Sequence, residues 1–114
     1  RDPEKAKSKF KVGNGYMIQY VKGEFPNVNP EHWTGSSEGR NPRFCFVYVD
    51  MDTERATHDA LKFFWPLMTS GGKIVVDDWK WPACTGVEKA VRELFSDEQI
   101  REVSSLYTCI LEKR

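Results

Sequence analysis

The sequence predicts an α/β layered fold with a mainly parallel sheet. Residues 44–50 and 73–77 are two apolar runs with the length and composition of buried strands, and one helix-length segment separates them. Two parallel strands joined by a helix end at the same edge of their sheet. Residues 100–103 and 106–111 are two further strand-like runs, which predict an antiparallel pair at the C-terminus.

Each apolar strand is followed by a predicted amphipathic helix. Residues 53–68 place apolar side chains at helical spacing, with Asp52 or Thr53 as the N-cap and Gly71-Gly72 beyond the C-terminus. The second helix covers residues 85–95, and its N-terminus is predicted from Thr85 and Glu88 as a capping box. This alternation of strands and helices is typical of α/β proteins.

The N-terminal part is less regular. A chain of 114 residues predicts a single domain, and the basic residues 1–15 predict a flexible or helical segment before a short strand at 16–21. Residues 27–43 are rich in Asn, Pro, Gly and Ser and predict a long loop, a type of segment that often forms a lid. The chain begins with Arg rather than Met, which fits a piece of a longer, partial domain.

Composition excludes several classes of partner. Seventeen basic and seventeen acidic residues give no net charge, so neither nucleic acid nor an anionic membrane is expected. No stretch has membrane-spanning length and no signal peptide opens the chain. Cys45, Cys84 and Cys109 lack metal-type spacing, and Cys45 and Cys109 lie in strand-like runs where a buried thiol is common. A cytoplasmic location is therefore predicted.

The most informative residues are four acids at the ends of the two apolar strands. Asp50 and Asp52 follow the first strand, and Asp77 and Asp78 close the second. Clustered carboxylates repel each other unless a cation lies among them, and their oxygens are the ligands that Mg²⁺ prefers. Helix capping alone also favours Asp at such junctions, above all for Asp52, but two acids at both strand ends exceed what capping requires.

Aromatic and histidine residues near these acids are further candidates. Trp79 and Trp81 flank Lys80 directly after the acid pair, either as walls for a flat substrate or as packing under the next helix. His58 is either a surface histidine or a general base that faces the site. His32 is interpreted as a solvated loop histidine.

The segment VYVDMDTERATHDALKFFWPLMTSGGKIVVDDW, followed by GVEKAVRELF, resembles the C-terminal half of the macrocin O-methyltransferase family. These enzymes are class I sugar O-methyltransferases that depend on S-adenosylmethionine and a divalent metal. The match covers about half the chain. Its shared elements are Asp50-Met51-Asp52, Thr57, Ala60-Leu61, Pro66, Gly71-Gly72, Asp77-Asp78-Trp79 and Lys89-Ala90-Val91. Residues 21–25 are similar to the family's strand and Gly-x-Phe turn.

The resemblance implies a Rossmann-like methyltransferase sheet that lacks its first strands. It also implies O-methyl transfer from S-adenosylmethionine to a hydroxyl of a small polyol or glycosylated metabolite, with Mg²⁺ as the second cofactor. Carried over by position, Asp50, Asp77 and Asp78 are metal ligands and Asp52 is a candidate catalytic base. The cofactor-binding residues it implies are Gly23, Phe25 and Asp50.

Departures from the family pattern keep alternatives open. Glu54 replaces a family Tyr, and no Gly-rich strand and turn precede Tyr16, so whether this chain alone is an enzyme stays open. A nucleotide-sugar glycosyltransferase with a DxD motif explains Asp50 and Asp52 but leaves the second acid pair unexplained. A non-catalytic truncated domain that forms a homodimer over an unprotected sheet edge is the other alternative.

Overall fold

The computed structural model describes the backbone of Lys7–Lys11 and Met17–Val21 and the whole of residues 43–114. The chain divides into two compact units, Arg1–Pro42 and Arg43–Arg114, where the sequence predicted one domain. Each unit is described by itself below.

The first unit contains an antiparallel strand pair, β1 (Lys7–Lys11) and β2 (Met17–Val21). Strand β1 corrects the expectation of a flexible or helical segment there. The register pairs Lys7 with Val21 and Lys11 with Met17. The rest of residues 1–15 and the predicted loop, except for Arg43, lie outside the described residues.

The second unit is an α/β layer, as predicted. Its four-stranded sheet has the order β3-β4-β6-β5, with β3 and β4 parallel and the other two pairings antiparallel. This confirms the C-terminal antiparallel pair, and the sheet of residues 43–114 is mixed. The elements are β3 (Phe44–Val49), α1 (Glu54–Phe64), β4 (Met68–Asp77), α2 (Thr85–Leu94), β5 (Ile100–Val103) and β6 (Thr108–Glu112).

Helix α1 is shorter than predicted. Thr53 is its N-cap, and the Thr53 hydroxyl accepts a hydrogen bond of 3.3 Å from the backbone N–H of Ala56. The helix gives way to a 3₁₀ turn at Trp65–Leu67, because Pro66 has no N–H to continue the helical ladder. Strand β4 therefore begins at Met68, five residues before the predicted start.

Helix α2 begins without the predicted capping box. Cys84 is its N-cap and makes no side-chain capping bond, while Glu88 forms an ion pair of 2.8 Å with Arg92 one turn later. The capping box that the structure does contain joins Ser96 and Gln99. With 11 and 10 residues, α1 and α2 are the α-helices of the described residues, and neither is long and apolar enough to cross a membrane.

The core lies on one face of the sheet. Buried strand residues alternate along β4 and β6, and the register places Ile74 beside Leu111 and Val76 beside Cys109. Burial raises the pKa of the Cys109 thiol to about 12, which fits an inert core residue. The remaining core side chains come from β3, the two helices and the loop after β4, and they include Val49, Ala60, Leu61, Trp79, Val87, Ala90 and Val91.

The opposite face of β3 is exposed, which corrects the prediction of a fully buried strand. Phe46 is 58 % exposed and Tyr48 is 53 % exposed. Cys45 is also exposed, so its predicted burial is wrong. The physical reason for the exposure of Phe46 and Tyr48 is that the described core covers the other side of this strand, where Val49 is buried. Cys45 lies where the β3–β4 register is irregular, between Phe44 and Phe46.

A close contact between α1 and α2 predicts a sensitive position at Gly86. A Cβ atom there would lie 2.6 Å from the Glu54 Cβ and 2.9 Å from the Glu54 backbone nitrogen. We expect Gly86→Ala to lower the free energy of unfolding by about 1–3 kcal/mol, since this overlap outweighs the gain of up to about 1 kcal/mol in helix propensity. Urea unfolding followed by circular dichroism measures the change.

The matched control is Thr85→Ala, which alters the neighbouring exposed residue of the same helical turn. It is expected to change the free energy of unfolding by no more than about 0.5 kcal/mol. A Gly86→Ala variant as stable as the wild type would contradict the close approach of the two helices.

Candidate metal centre

The register of the parallel strands places two acids next to each other. Val49 at the end of β3 pairs with Val76 in β4, so the residues that follow them, Asp50 and Asp77, reach the same edge of the sheet together. This is the carboxyl end of the parallel pair, the edge at which open α/β sheets bind ligands. The predicted convergence of the two strand ends is therefore present in the structure.

Two residues with left-handed backbones complete the arrangement. Asp52 has a φ of 63° and Asp78 a φ of 64°, conformations that non-glycine residues adopt rarely and at a cost. The carboxylate oxygens of Asp50, Asp77 and Asp78 lie within 4.8 Å of one another. Ligand atoms of Asp52, Asp78 and Cys84 form a second group within the same limit. The four carboxylates are called the acid cluster below.

The electrostatics of the acid cluster show uncompensated negative charge. The pKa of Asp78 is raised to about 6 by partial removal from water, a hydrogen bond with Asp52 and the neighbouring carboxylates. Partial removal from water and the charge of Asp77 also raise the pKa of Asp50. Of the ion pairs found within residues 43–114, none includes a member of the cluster.

Two residues that the sequence analysis did not connect with the site lie beside the acid cluster. The pKa of the Tyr48 phenol is raised by partial removal from water, then by the charges of Asp77 and Asp50. Tyr48 lies on β3 two residues before Asp50, so strand alternation was the signal that could have found it. Partial burial and the charge of Asp78 raise the pKa of the Cys84 thiol.

The two tryptophans have different roles. Trp79 is 1 % exposed, and its indole Nε1 donates a hydrogen bond of 2.7 Å to Glu102 Oε1, so its assignment to substrate binding is wrong. It is a core residue because the turn after β4 points its ring inward. Trp81 is 41 % exposed and packs edge-on against Tyr107 with 4.8 Å between ring centroids. Its substrate-binding role stays a prediction.

His58 is not part of the acid cluster. Its Nε2 lies 3.8 Å from the Glu93 carboxylate, and both line a surface pocket of about 360 Å³ with Glu54 and Arg55. His58 is on the face of α1 that meets α2, which removes the geometric basis for its predicted role as general base. Gly23 and Phe25 lie outside the described residues.

The donor set of the acid cluster fits a hard divalent cation. The three converging carboxylates supply oxygen ligands of the type that Mg²⁺ and Mn²⁺ select, and no lysine or arginine in the described second unit neutralises them. The Asp52, Asp78 and Cys84 group adds a sulfur atom at its margin. The arrangement can therefore hold a dication at the end of the parallel strand pair.

Known proteins share this fold. The apo structure of CalS11, described as a TDP-rhamnose 3′-O-methyltransferase of calicheamicin biosynthesis, matches with a TM-score of 0.65 at 20 % identity over 81 % of this chain and 39 % of its own. A second CalS11 structure has the same score and identity and is covered over 36 % of its chain. The O-methyltransferase NovP matches 60 % of this chain and 29 % of its own, with a TM-score of 0.52 at 20 % identity.

These matches establish the fold. No protein-family model and no curated protein matches the sequence, so membership of the macrocin family stays a prediction. The chain spans less than two fifths of the length of the CalS11 chains. The chain thus shares an α/β fold with part of those larger proteins.

Proposed function

We propose that this chain forms the metal- and acceptor-binding part of an O-methyltransferase that acts on a hydroxyl of a sugar-linked small molecule or polyol. The observation that carries the proposal is the meeting of Asp50, Asp77 and Asp78 within 4.8 Å at the carboxyl end of the parallel strands. The fold shared with a TDP-rhamnose 3′-O-methyltransferase and with the O-methyltransferase NovP supports the reaction class.

The residues of the acid cluster have separate roles in this proposal. Asp50, Asp77 and Asp78 would hold Mg²⁺, and the Tyr48 phenol lies beside the Asp77 carboxylate, whose charge helps to raise the Tyr48 pKa. Bound Mg²⁺ would lower the pKa of the acceptor hydroxyl, while S-adenosylmethionine would supply an electrophilic methyl group. Asp52 lies at the exposed margin of the cluster and would accept the hydroxyl proton.

Acceptor binding would use the exposed aromatic pair. Trp81 and Tyr107 present an edge-to-face surface, and the loop that carries Trp81 follows Asp78 directly. Aromatic faces of this kind bind the apolar faces of small molecules. Gly23 and Phe25 remain the proposed residues for S-adenosylmethionine.

The geometry favours this proposal over the two alternatives from the sequence. A glycosyltransferase DxD motif accounts for Asp50 and Asp52, whereas the structure joins the second pair, Asp77 and Asp78, to them. A non-catalytic, self-associating domain predicts a dimer by light scattering and no response to Mg²⁺ or S-adenosylmethionine. Protection by a uridine diphosphate sugar with Mn²⁺ would instead support the glycosyltransferase.

Isothermal titration of the chain with Mg²⁺ and with S-adenosylmethionine tests the proposal. We expect Asp77→Asn to weaken Mg²⁺ binding by at least about tenfold, because it removes one charged ligand without changing the side-chain size. The control is Asp59→Asn, which removes an equal charge from an exposed ion pair with Arg55 on α1. Equal affinity of the wild type and Asp77→Asn would contradict the metal site.

Mg²⁺ binding is expected to depend on pH. The pKa of Asp78 is about 6, and a proton on this carboxyl competes with the metal, so affinity should rise between about pH 5 and about pH 7. Asp52→Asn should move the midpoint of this rise to lower pH, because it removes the carboxyl group whose hydrogen bond and charge raise the pKa of Asp78. A pH-independent affinity over this range would contradict the assignment of Asp78.

The metal-free protein should show the opposite trend in stability. The pKa of Asp78 in the folded protein lies above the ordinary aspartate value of 3.8, so its contribution to stability is complete below about pH 4 and is lost as the pH rises through about 6. The melting temperature of the wild type relative to that of Asp78→Asn should therefore decrease over this interval. Differential scanning calorimetry of both proteins measures it, and a constant difference would argue against the raised pKa.

A further inference from the structure

The turn after β4 is held in an unusual backbone conformation. Asp78 has a φ of 64° and Lys80 a φ of 59°, so left-handed residues stand on both sides of Trp79. Such conformations persist only where the surrounding structure holds them. The turn therefore needs an anchor outside its own sequence.

Trp79 and Glu102 provide that anchor. The Trp79 ring is buried, its Nε1 donates to Glu102 Oε1 at 2.7 Å, and its backbone N–H donates to the Tyr107 carbonyl at 2.9 Å. The Arg92 guanidinium lies 5.1 Å from the ring centroid. These contacts fasten the turn to the strand pair β5 and β6 and fix the backbone from which the Asp78 carboxylate projects.

Glu102 also forms an ion pair with Lys80, a residue that lies close in sequence to the acid cluster. The Lys80 Nζ is 2.7 Å from the same Oε1 atom that accepts the Trp79 bond. Lys80 follows Asp78 by only two residues, its side chain is 46 % exposed, and its Nζ lies 5.9 Å from the Trp79 ring centroid. Without Glu102, the ammonium would be drawn to the negative charge of the cluster, which has no ion-pair partner within residues 43–114.

We infer that Glu102 is a positioning residue that keeps the Lys80 ammonium away from the acid cluster and so leaves the cluster open for a divalent cation. The inference rests on the proposed function, since it assigns a role toward the same metal site. It explains why a lysine follows the acids without neutralising them. The sequence alone does not suggest this role, because Glu102 is more than 20 residues away from Asp78 along the chain.

Mn²⁺ titration of four proteins tests the inference: wild type, Glu102→Gln, Lys80→Met and the double variant. Glu102→Gln keeps an oxygen acceptor for Trp79 but removes the charge that binds Lys80, and it should weaken Mn²⁺ binding by about tenfold. Lys80→Met should bind within about twofold of the wild type, and in the double variant it should restore most of the lost affinity. Undiminished binding by Glu102→Gln, or no recovery in the double variant, would overturn the inference.

A second measurement needs no metal and separates this inference from the proposed function. In the metal-free Glu102→Gln protein, nuclear Overhauser contacts between the Lys80 side-chain protons and the β protons of Asp78 should appear that are absent in the wild type. Their absence in the folded variant would overturn the inference. Failure of the wild type to bind Mn²⁺ would instead contradict the proposed function, and this spectrum would still decide the role of Glu102.

Discussion

The acid cluster depends on one constraint, the parallel pairing of β3 and β4 in a single register. Val49 opposite Val76 brings Asp50 and Asp77 to the sheet edge at the same level. A shift of one residue would exchange the faces of every side chain in β3 and separate the two carboxylates. Strand β6 holds β4 from its other side, where Thr108 pairs with Asp77, so the position of this acid is fixed from both directions.

The N-termini of both helices contribute to the environment of the acid cluster. Helix α1 starts after Thr53 and α2 after Cys84, so both N-termini lie close along the chain to the acids. The close approach at Gly86 brings the first turns of the two helices together. Helix N-termini carry partial positive charge, which offsets some of the repulsion between carboxylates. Partial removal from water and the neighbouring carboxylates still raise the pKa values of Asp50 and Asp78.

Short-range patterns predicted the parts of the site that lie within one strand end. The acids after the two apolar runs were predicted because strand length and the parallel connection determine where their side chains emerge. Which of Trp79 and Trp81 packs in the core was not predictable in the same way, because the partner of Trp79, Glu102, is 23 residues away and resembles an ordinary surface acid in the sequence. Tyr48 was missed because apolar runs were treated as buried on both faces.

The predicted boundaries of helices and strands were wrong where contacts with a distant part of the chain determine them. Strand β4 begins early because the Gly71 N–H donates to the Lys113 carbonyl at 2.7 Å and the Lys113 N–H donates to the Gly72 carbonyl at 2.8 Å, contacts across more than 40 positions of the chain. From the local sequence, the same two glycines were predicted to follow the C-terminus of a helix. The predicted capping box of Thr85 and Glu88 is absent, since Glu88 pairs with Arg92 instead. A capping box is found at Ser96 and Gln99.

The left-handed backbones of Asp52 and Asp78 have a consequence for how this domain is maintained. Glycine would adopt both conformations more easily, by roughly 1 kcal/mol at each position, so the fold alone would be better served without these side chains. In the proposed function, Asp52 and Asp78 supply carboxylates to the acid cluster at the expense of backbone stability. Glycine at either position would give a more stable domain with a weaker metal site.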